Sequence, residues 1–560
     1  MRRSALAGAA LLAVLAGCAS VPRSGPVHVG RALPGGLGEQ VGSIGGRPSG
    51  PVEGMSPQQL VNAFLDAQAD AADGFAVART FLAPGASWNP RAGTTIYDDA
   101  SFRVTRTGPR TVVIDANRTG VIDSRGDYQA SPGAVRWRFV LARSAGQWRI
   151  SHLPSGALVG SEDAARALEP VSVYYLNQTQ TAVVAEPLVL SLDEQGFATR
   201  LVQELLDGPG AGIAPAVTSA IPRNTSLQGN VTIDSDGVAE LNLIVSGPQL
   251  SSSQLERLSA QVVWTLRQAS GVTAVRILVN GALVAPEGVI RTQPILSWAM
   301  FDPSVPPPQA GTLFLRSGRV VGHELTVPAA LRGGGITAVA MGADGARVAA
   351  LRGAGVSTLL VGPAAGPLTS ALRAASYTPP AFDPAGDVYL ARRSQGVSTL
   401  LEVPVHGRPH SVPVAARIRR AGIDAVAVSR DGTRIALVTG GVGEEQLRVG
   451  LITGEGARPA VTRPRVVLAG GRAVSGVAWA NGTEIATTAS TRSGGRRVVV
   501  VSVDGYTTRT LPGAGLRGSP TEVAALPGHP TLAGAGGAIW AFSAHRWRRL
   551  STGSAPAYAG

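Results

Sequence analysis

The sequence predicts a multi-domain protein in which two α+β domains are followed by an all-β propeller-like domain of five or six blades. Three observations carry that prediction. The chain has 560 residues, too many for one hydrophobic core, and it is 44% hydrophobic with only 16% charged residues, so several folded domains are expected. Up to about residue 290, capped helical patterns alternate with short strand patterns. Beyond that point a strand–turn–strand unit recurs as "AVAMGADGARVAAL", "PAFDPAGDVYLARR", "AVAVSRDGTRIALV", "GVAWANGTEIATT" and "EVAALPGHPTLAG", with turn glycines Gly345, Gly386, Gly432, Gly482 and Gly528 spaced 41 to 50 residues apart. Repeats of about 40–50 residues with several strands each build propeller blades.

Composition excludes several chemistries. The formal net charge is +13, and all 50 basic residues are Arg. Without Lys there is no Walker A loop and no Schiff-base lysine. A single Cys rules out an intramolecular disulfide and any CxxC site for zinc or redox work. The basic balance favours anionic partners such as lipid headgroups or wall polymers.

The N-terminus reads as an address. Arg2 and Arg3 precede an apolar run of 11 residues, Ala5–Leu15, too short to span a bilayer but suited to a secretory signal. The run ends in Leu15-Ala16-Gly17-Cys18, which resembles a bacterial lipobox. That resemblance implies cleavage after Gly17, a signal peptide over 1–17, and lipidation of Cys18 as an N-palmitoyl, S-diacylglycerol cysteine. Two or more acyl chains hold a protein where one leaks. Residues 18–54 then form a Gly-, Pro- and Ser-rich tether. As a coil its 36 residues after Cys18 average about 30–36 Å end to end. Extracytoplasmic anchoring in the cell membrane makes nucleic acid an excluded partner.

The first domain, 55–165, opens on Ser56-Pro57-Gln58-Gln59, a capping box with Pro at the first helical position. Leu60, Phe64 and Ala67 mark one helical face, and a second short helix is expected at Ala76–Leu82. Strands follow at "FRVTR", "RTVVIDANRTGVI", "VRWRFVLAR" and "QWRISHL", with Ala145-Gly146 as a turn. Helices followed by a curved meander resemble the NTF2-like α+β fold.

The second domain, 168–290, begins with the strand "VSVYYLN". Ser191–Glu194 is a capping box for a helix carrying Phe197, Leu201 and Leu205, stopped at Gly208-Pro209. "NVTIDSDGVAELNL" is a hairpin turning at Asp236-Gly237. Ser253 and Glu256 are expected to cap a third helix with Leu255, Leu258, Val262 and Leu266, and Val275–Val279 runs into the hairpin signal Asn280-Gly281. The blocks "VYYLN", "LVQELLDGPG", "AIPRNTSL", "DSDGVAELNL" and "VVWTLRQASGVTAVRILVNG" resemble, in order, a GerMN domain, a non-enzymatic extracytoplasmic module.

The propeller region, 291–560, contains the turn "SRDGTRIA", similar to TolB-like blades. A sixth blade is expected from "TLFLRSGRVVGHEL" paired with far C-terminal strands such as "AIWAF".

Candidate sites are few. His406 and His410 have i, i+4 spacing, but Pro404, Pro409 and Pro413 forbid a helix, so they read as loop histidines rather than a metal pair. Gly513–Gly518 matches GxGxxG, yet Ser519-Pro520 follows where a helix would have to start. Asp234–Gly237 lacks the position-12 Glu of a calcium loop. Three Arg clusters stand out: Arg417, Arg419 and Arg420; Arg496 and Arg497; and Arg546, Arg548 and Arg549. No catalytic residue, metal site or cofactor is expected.

Lipobox, tether, GerMN domain and propeller, in that order, resemble the LpqB family of actinobacterial lipoproteins. The resemblance implies a non-enzymatic accessory of the MtrA–MtrB two-component system. It would act outside the cell on the extracytoplasmic domain of an MtrB-like sensor histidine kinase and affect envelope homeostasis and division. Anionic cell-wall polymers are a second expected partner. A wall glycan- or polymer-binding module and an envelope hydrolase remain open as alternatives.

Overall fold

The computed structural model describes residues 48–191, 196–305, 311–353, 355–441, 445–454, 458–468, 473–491 and 494–558. The signal segment, Gly17, Cys18 and nearly all of the tether lie outside the described residues, as do positions 192–194 of the second capping box. Pro48–Gly560 forms one unit by internal contacts. Among the described residues no helix is long and apolar enough to cross a membrane.

The first domain begins where the sequence places it. Ser56 caps helix Pro57–Ala67: its side chain accepts from the Gln59 N–H while the Gln59 side chain accepts from the Ser56 N–H. Leu60, Val61, Phe64 and Leu65 are buried on that helix, and Phe64 meets Phe81, Trp88 and Phe139 edge-on. The second helix spans Ala72–Arg79 rather than Ala76–Leu82; left-handed Asp73, Gly74 and Phe75 break its first turn. Leu82 has already left the helix to bridge Ile150. Both helices pack on a six-stranded sheet dominated by the long hairpin Thr111–Ile122 and Tyr128–Ser144. Its far edge is a parallel pair missing from the sequence reading, Thr94–Tyr97 with Ala157–Gly160.

In the second domain, strand Glu169–Asn177 pairs antiparallel with Val183–Leu190. The helix after it is Phe197–Leu206, with left-handed Gly196 at its N-cap. Val238–Ile244 pairs parallel with Ala274–Val279 through helix Ser252–Leu266, a β–α–β crossover. The N-cap of that helix is Ser251, with Gln254 completing the box, and not Ser253 with Glu256. Both Ser-x-x-acid/amide patterns are present in the sequence; extended backbone at Ser251 selects the earlier one. Asn280 and Gly281, at φ 51° and 81°, close the final hairpin as a type I′ turn.

The last domain is a six-bladed propeller. Five blades have four strands each, over 336–374, 381–411, 423–468, 474–510 and 520–552. Their first strands and the C-terminal Ser554–Tyr558 lie side by side around the ring. The remaining blade has three strands: Arg319–His323, Thr312–Arg316 and Ser554–Tyr558. The two ends of the domain therefore close the ring, which removes two exposed sheet edges. This corrects the expectation for "AIWAF". Ala538–Ser543 forms a tight local hairpin with Thr531–Ala535 through Gly536 and Gly537, so that strand stays in the preceding blade.

Candidate functional site

Buried charge concentrates where the three domains meet, at Glu186, Glu204, Asp431, Arg434 and Asp504. It starts from a turn in the first domain. The Asp123 carboxylate accepts the N–H groups of Arg125, Gly126 and Asp127 through one oxygen, at 2.9–3.0 Å, which fixes the loop between the long hairpin strands. The loop lies against the second domain: Gly126 carbonyl accepts from Val189 N–H at 2.8 Å. Gly126 has φ 106°, and a Cβ there would stand 2.8 Å from Leu190 Cδ2, so only glycine fits.

Arg125 reaches across this contact. Its guanidinium donates to Glu186 Oε2 at 3.0 Å, to the Tyr175 hydroxyl at 3.4 Å and to the Glu204 carbonyl at 3.4 Å. Arg200 answers from the other side, bonding Glu204 Oε1 at 2.6 Å and the Ser124 carbonyl at 3.0 Å. Glu186 and Glu204 are only 3% and 4% exposed. Burial pushes Glu186 up to about 7 despite Arg125, and it raises Glu204 and Asp127 as well. Both Glu186 oxygens are engaged, since Oε1 accepts from Gly210 N–H at 2.9 Å. Burial alone would lower Arg125; Glu186 and its neighbours outweigh that and hold it above its ordinary range.

The second and third domains are joined by the "SRDGTRIA" turn. Asp431 Oδ1 accepts from the Ser429 hydroxyl and from the Thr433 N–H and hydroxyl. That anchors Arg434, 4% exposed, whose guanidinium donates to the Ala185 carbonyl of the second domain. Asn177 Nδ2 donates back to the Asp431 carbonyl at 3.2 Å. Arg430 holds the interdomain segment through the Pro303 and Val305 carbonyls at 2.9 and 3.1 Å. The first and third domains meet at Tyr128 and Tyr506, whose rings lie edge to face at 5.2 Å, and the Tyr506 hydroxyl donates to the Ala164 carbonyl. Every pair of domains is therefore bonded directly.

A cavity of about 180 Å³ lies at this junction, lined in part by Asp127, Glu186, Arg434, Arg463, Arg465 and Asp504. A larger one, about 340 Å³, shares Arg465 and Asp504 with it and takes in Arg417. Arg417 is the only member of the three sequence-derived Arg clusters lining either cavity. Arg419 and Arg420 are exposed on helix Ala416–Ala421. Arg496 bonds Ser475 and Thr488 within its own blade, and Arg546, Arg548 and Arg549 lie exposed on the outer strand Arg546–Thr552. The clusters do not merge into one patch along a single blade.

The other flagged residues take local roles. His410 Nε2 sits 2.8 Å from Glu402 Oε2, and the Tyr389 hydroxyl donates to the other Glu402 oxygen at 3.1 Å. His406 lies in the preceding turn, outside this contact. Burial raises Glu402 and takes Asp383, in the same blade, up to about 7. The Gly513–Gly518 loop packs on Trp547, whose backbone N–H donates to the Ala514 carbonyl. The Asp234–Gly237 segment is a hairpin turn, with the Asp234 side chain accepting from Asp236 and Val238 N–H. Among the described residues, no group of three or more His, Cys, Asp or Glu is placed to hold a metal.

Comparisons with known proteins follow the same three-part division. Residues 50–165 match the family described as the N-terminal domain of lipoprotein LpqB, 172–285 the sporulation and spore germination family, and 320–559 the LpqB beta-propeller domain. Lipoprotein LpqB of Cutibacterium acnes is 31% identical over 51% of this chain, and the match spans 47% of that protein's length. Those of Thermobifida fusca and Mycobacterium tuberculosis are 27% and 28% identical, over 100% and 94% of this chain and 99% and 93% of their own. Among solved structures, TolB from Acinetobacter baumannii covers 56% of this chain and 86% of its own at 14% identity and a TM-score of 0.33. The first GerMN domain of Bacillus subtilis GerM covers 22% of this chain and 97% of its own at 20% identity and a TM-score of 0.19. With both LpqB domain families flanking the germination-type module and relatives aligned nearly end to end, the chain belongs to the LpqB lipoprotein family.

Proposed function

We propose that this protein is a lipid-anchored, extracytoplasmic and non-enzymatic accessory of the MtrA–MtrB two-component system, acting on the ectodomain of an MtrB-like sensor histidine kinase. Cleavage after Gly17 would leave Cys18 carrying a diacylglycerol thioether and an N-palmitoyl group. The tether would then hold the folded part near the membrane and raise its effective concentration around a membrane-embedded partner. The observation that carries the reading is the junction. Arg125, Arg200 and Arg434 brace three domains into one body. A partner can shift a kinase equilibrium only by binding its two states unequally, and a braced body loses less ordering free energy on binding than a hinged one.

An envelope hydrolase is the second reading, because Glu186 and Asp127 line one cavity with raised pKa values. Against it, both Glu186 oxygens are already engaged by Arg125 and Gly210. The deciding experiment is a pull-down of the full chain, bearing Cys18→Ser, with the kinase sensor domain. Specific capture is expected; no capture with both proteins folded would count against the proposal. In cells, the same substitution should abolish acyl labelling and release the chain from the membrane.

A further inference from the structure

The larger cavity sits between the first-domain strand that carries Gln129 and Ala130 and the blade spanning 423–468. Three guanidinium groups line it, Arg417, Arg448 and Arg465, against one carboxylate, Asp504. The formal charge of the lining is thus +2. Among the described residues Arg448 donates to neutral oxygens, Thr439 Oγ1 at 3.1 Å and Gln446 Oε1 at 2.6 Å. Arg465 donates to the Val503 carbonyl at 3.1 Å. These neutral acceptors hold the Arg448 and Arg465 side chains in place and engage only part of each fork of five N–H donors. Burial lowers Arg448 below its ordinary range, and the charge of Arg417 lowers it further, so the two like charges face each other at a cost. Asp504 is tied down through Oδ1 by Ser502 and Tyr506 N–H.

The backbone adds an independent sign. Strand Ala460–Leu468 carries a bulge at which Arg463 and Pro464 stand opposite Gly450 alone. Arg463 is left-handed there, with φ 49°, an unfavourable conformation for a non-glycine residue. Bulges re-aim side chains next to sites, and this one sets the register of Arg463 and Arg465, which line the two adjoining cavities.

We propose that this cleft binds a phosphomonoester or inorganic phosphate dianion, seated among Arg417, Arg448 and Arg465. A phosphate with terminal oxygens offers three strong acceptors to three separate guanidinium groups, whereas a carboxylate offers two. Its double charge matches the +2 of the lining. Arg is the cation suited to such recognition, through its planar fork of donors. The inference does not rest on kinase binding, since it concerns a small anion and a different measurement.

The test is calorimetric titration of the full chain bearing Cys18→Ser with inorganic phosphate, glycerol 3-phosphate and dimethyl phosphate. A second arm measures co-sedimentation with phosphatidylcholine vesicles with and without phosphatidic acid. Saturable binding of phosphate or glycerol 3-phosphate is expected, with dimethyl phosphate weaker. Binding should weaken about tenfold in Arg448→Gln and in Arg417→Gln, the latter being an exposed residue that folding does not need. Arg546→Gln, which lines neither cavity, should leave it unchanged. Preference for phosphatidic acid vesicles over glycerol 3-phosphate would identify a lipid source, and the reverse a soluble one. No saturable binding of any phosphate probe, or an equal loss in Arg546→Gln, would overturn the proposal.

Discussion

Replacing Arg125 by Met is the sharpest perturbation of the junction. Met keeps much of the apolar stem but removes the guanidinium. Above about pH 7, where Glu186 is ionised, two carboxylates, Glu186 and Glu204, then stay 3% and 4% exposed without their shared cation. Breaking a buried ion pair by removing one partner costs about 3–5 kcal/mol. Arg125 is itself 18% exposed at the side chain and Arg200 still serves Glu204, so the lower end, about 3 kcal/mol, applies. That corresponds to roughly a hundredfold increase in local opening. Hydrogen exchange read by mass spectrometry localises the effect. The Val189 amide, bonded to Gly126, and the Gly210 amide, bonded to Glu186, should exchange about a hundredfold faster in the variant. Strands of the propeller should be unaffected. Unchanged protection at both amides, with Arg125 gone, would refute the reasoning that this residue holds the first two domains together.

Three further outcomes follow from the same structure. Glu186 titrates at about 7 in the fold against an ordinary 4.5, so the folded chain holds its proton to higher pH and loses stability as pH rises from about 4.5 to about 7. Glu186→Gln does not titrate, so its unfolding free energy should gain on the wild type across that window, by up to about 1.4 kcal/mol per pH unit; parallel curves of stability against pH would contradict the assignment. Ending the chain at Thr552 removes the strand Ser554–Tyr558 and leaves Thr312–Arg316 unpaired on that side. The truncated chain should melt earlier and self-associate through the bare edge, which light scattering would detect. Ser251→Ala should cost about 1 kcal/mol in chemical denaturation while Ser253→Ala costs little, and the reverse order would restore the later cap.

Local chemistry made much of the fold legible. The Ser56 box, the Asn280-Gly281 turn and the spacing of the blade glycines are short-range patterns whose meaning does not depend on distant residues. What escaped the sequence is non-local. The strand "SAPAY" is short, contains a Pro and has weak alternation, so nothing marks it as the partner of Thr312–Arg316, more than two hundred positions earlier in the chain. "AIWAF" looks a better strand, but its own hairpin claims it. The junction escaped for the same reason. Arg125 lies in an ordinary turn, and its partner acid is 61 positions away. The turn "SRDGTRIA" was visible as a blade signature, yet its contact with Ala185 spans 249 positions. Arg417 stood out as one of a charged cluster, whereas Arg448 and Arg465 occupy unremarkable strand positions and gain meaning only from the cleft they share.

The most direct measurement is calorimetric binding of the full chain bearing Cys18→Ser to the purified sensor-kinase ectodomain, with the Arg125→Met form beside it. A braced three-domain accessory predicts saturable binding by the first and clearly weaker binding by the second, because loosening the junction adds an ordering cost. No saturable binding by either chain up to concentrations on the order of 0.1 mM, with all proteins folded, would contradict it.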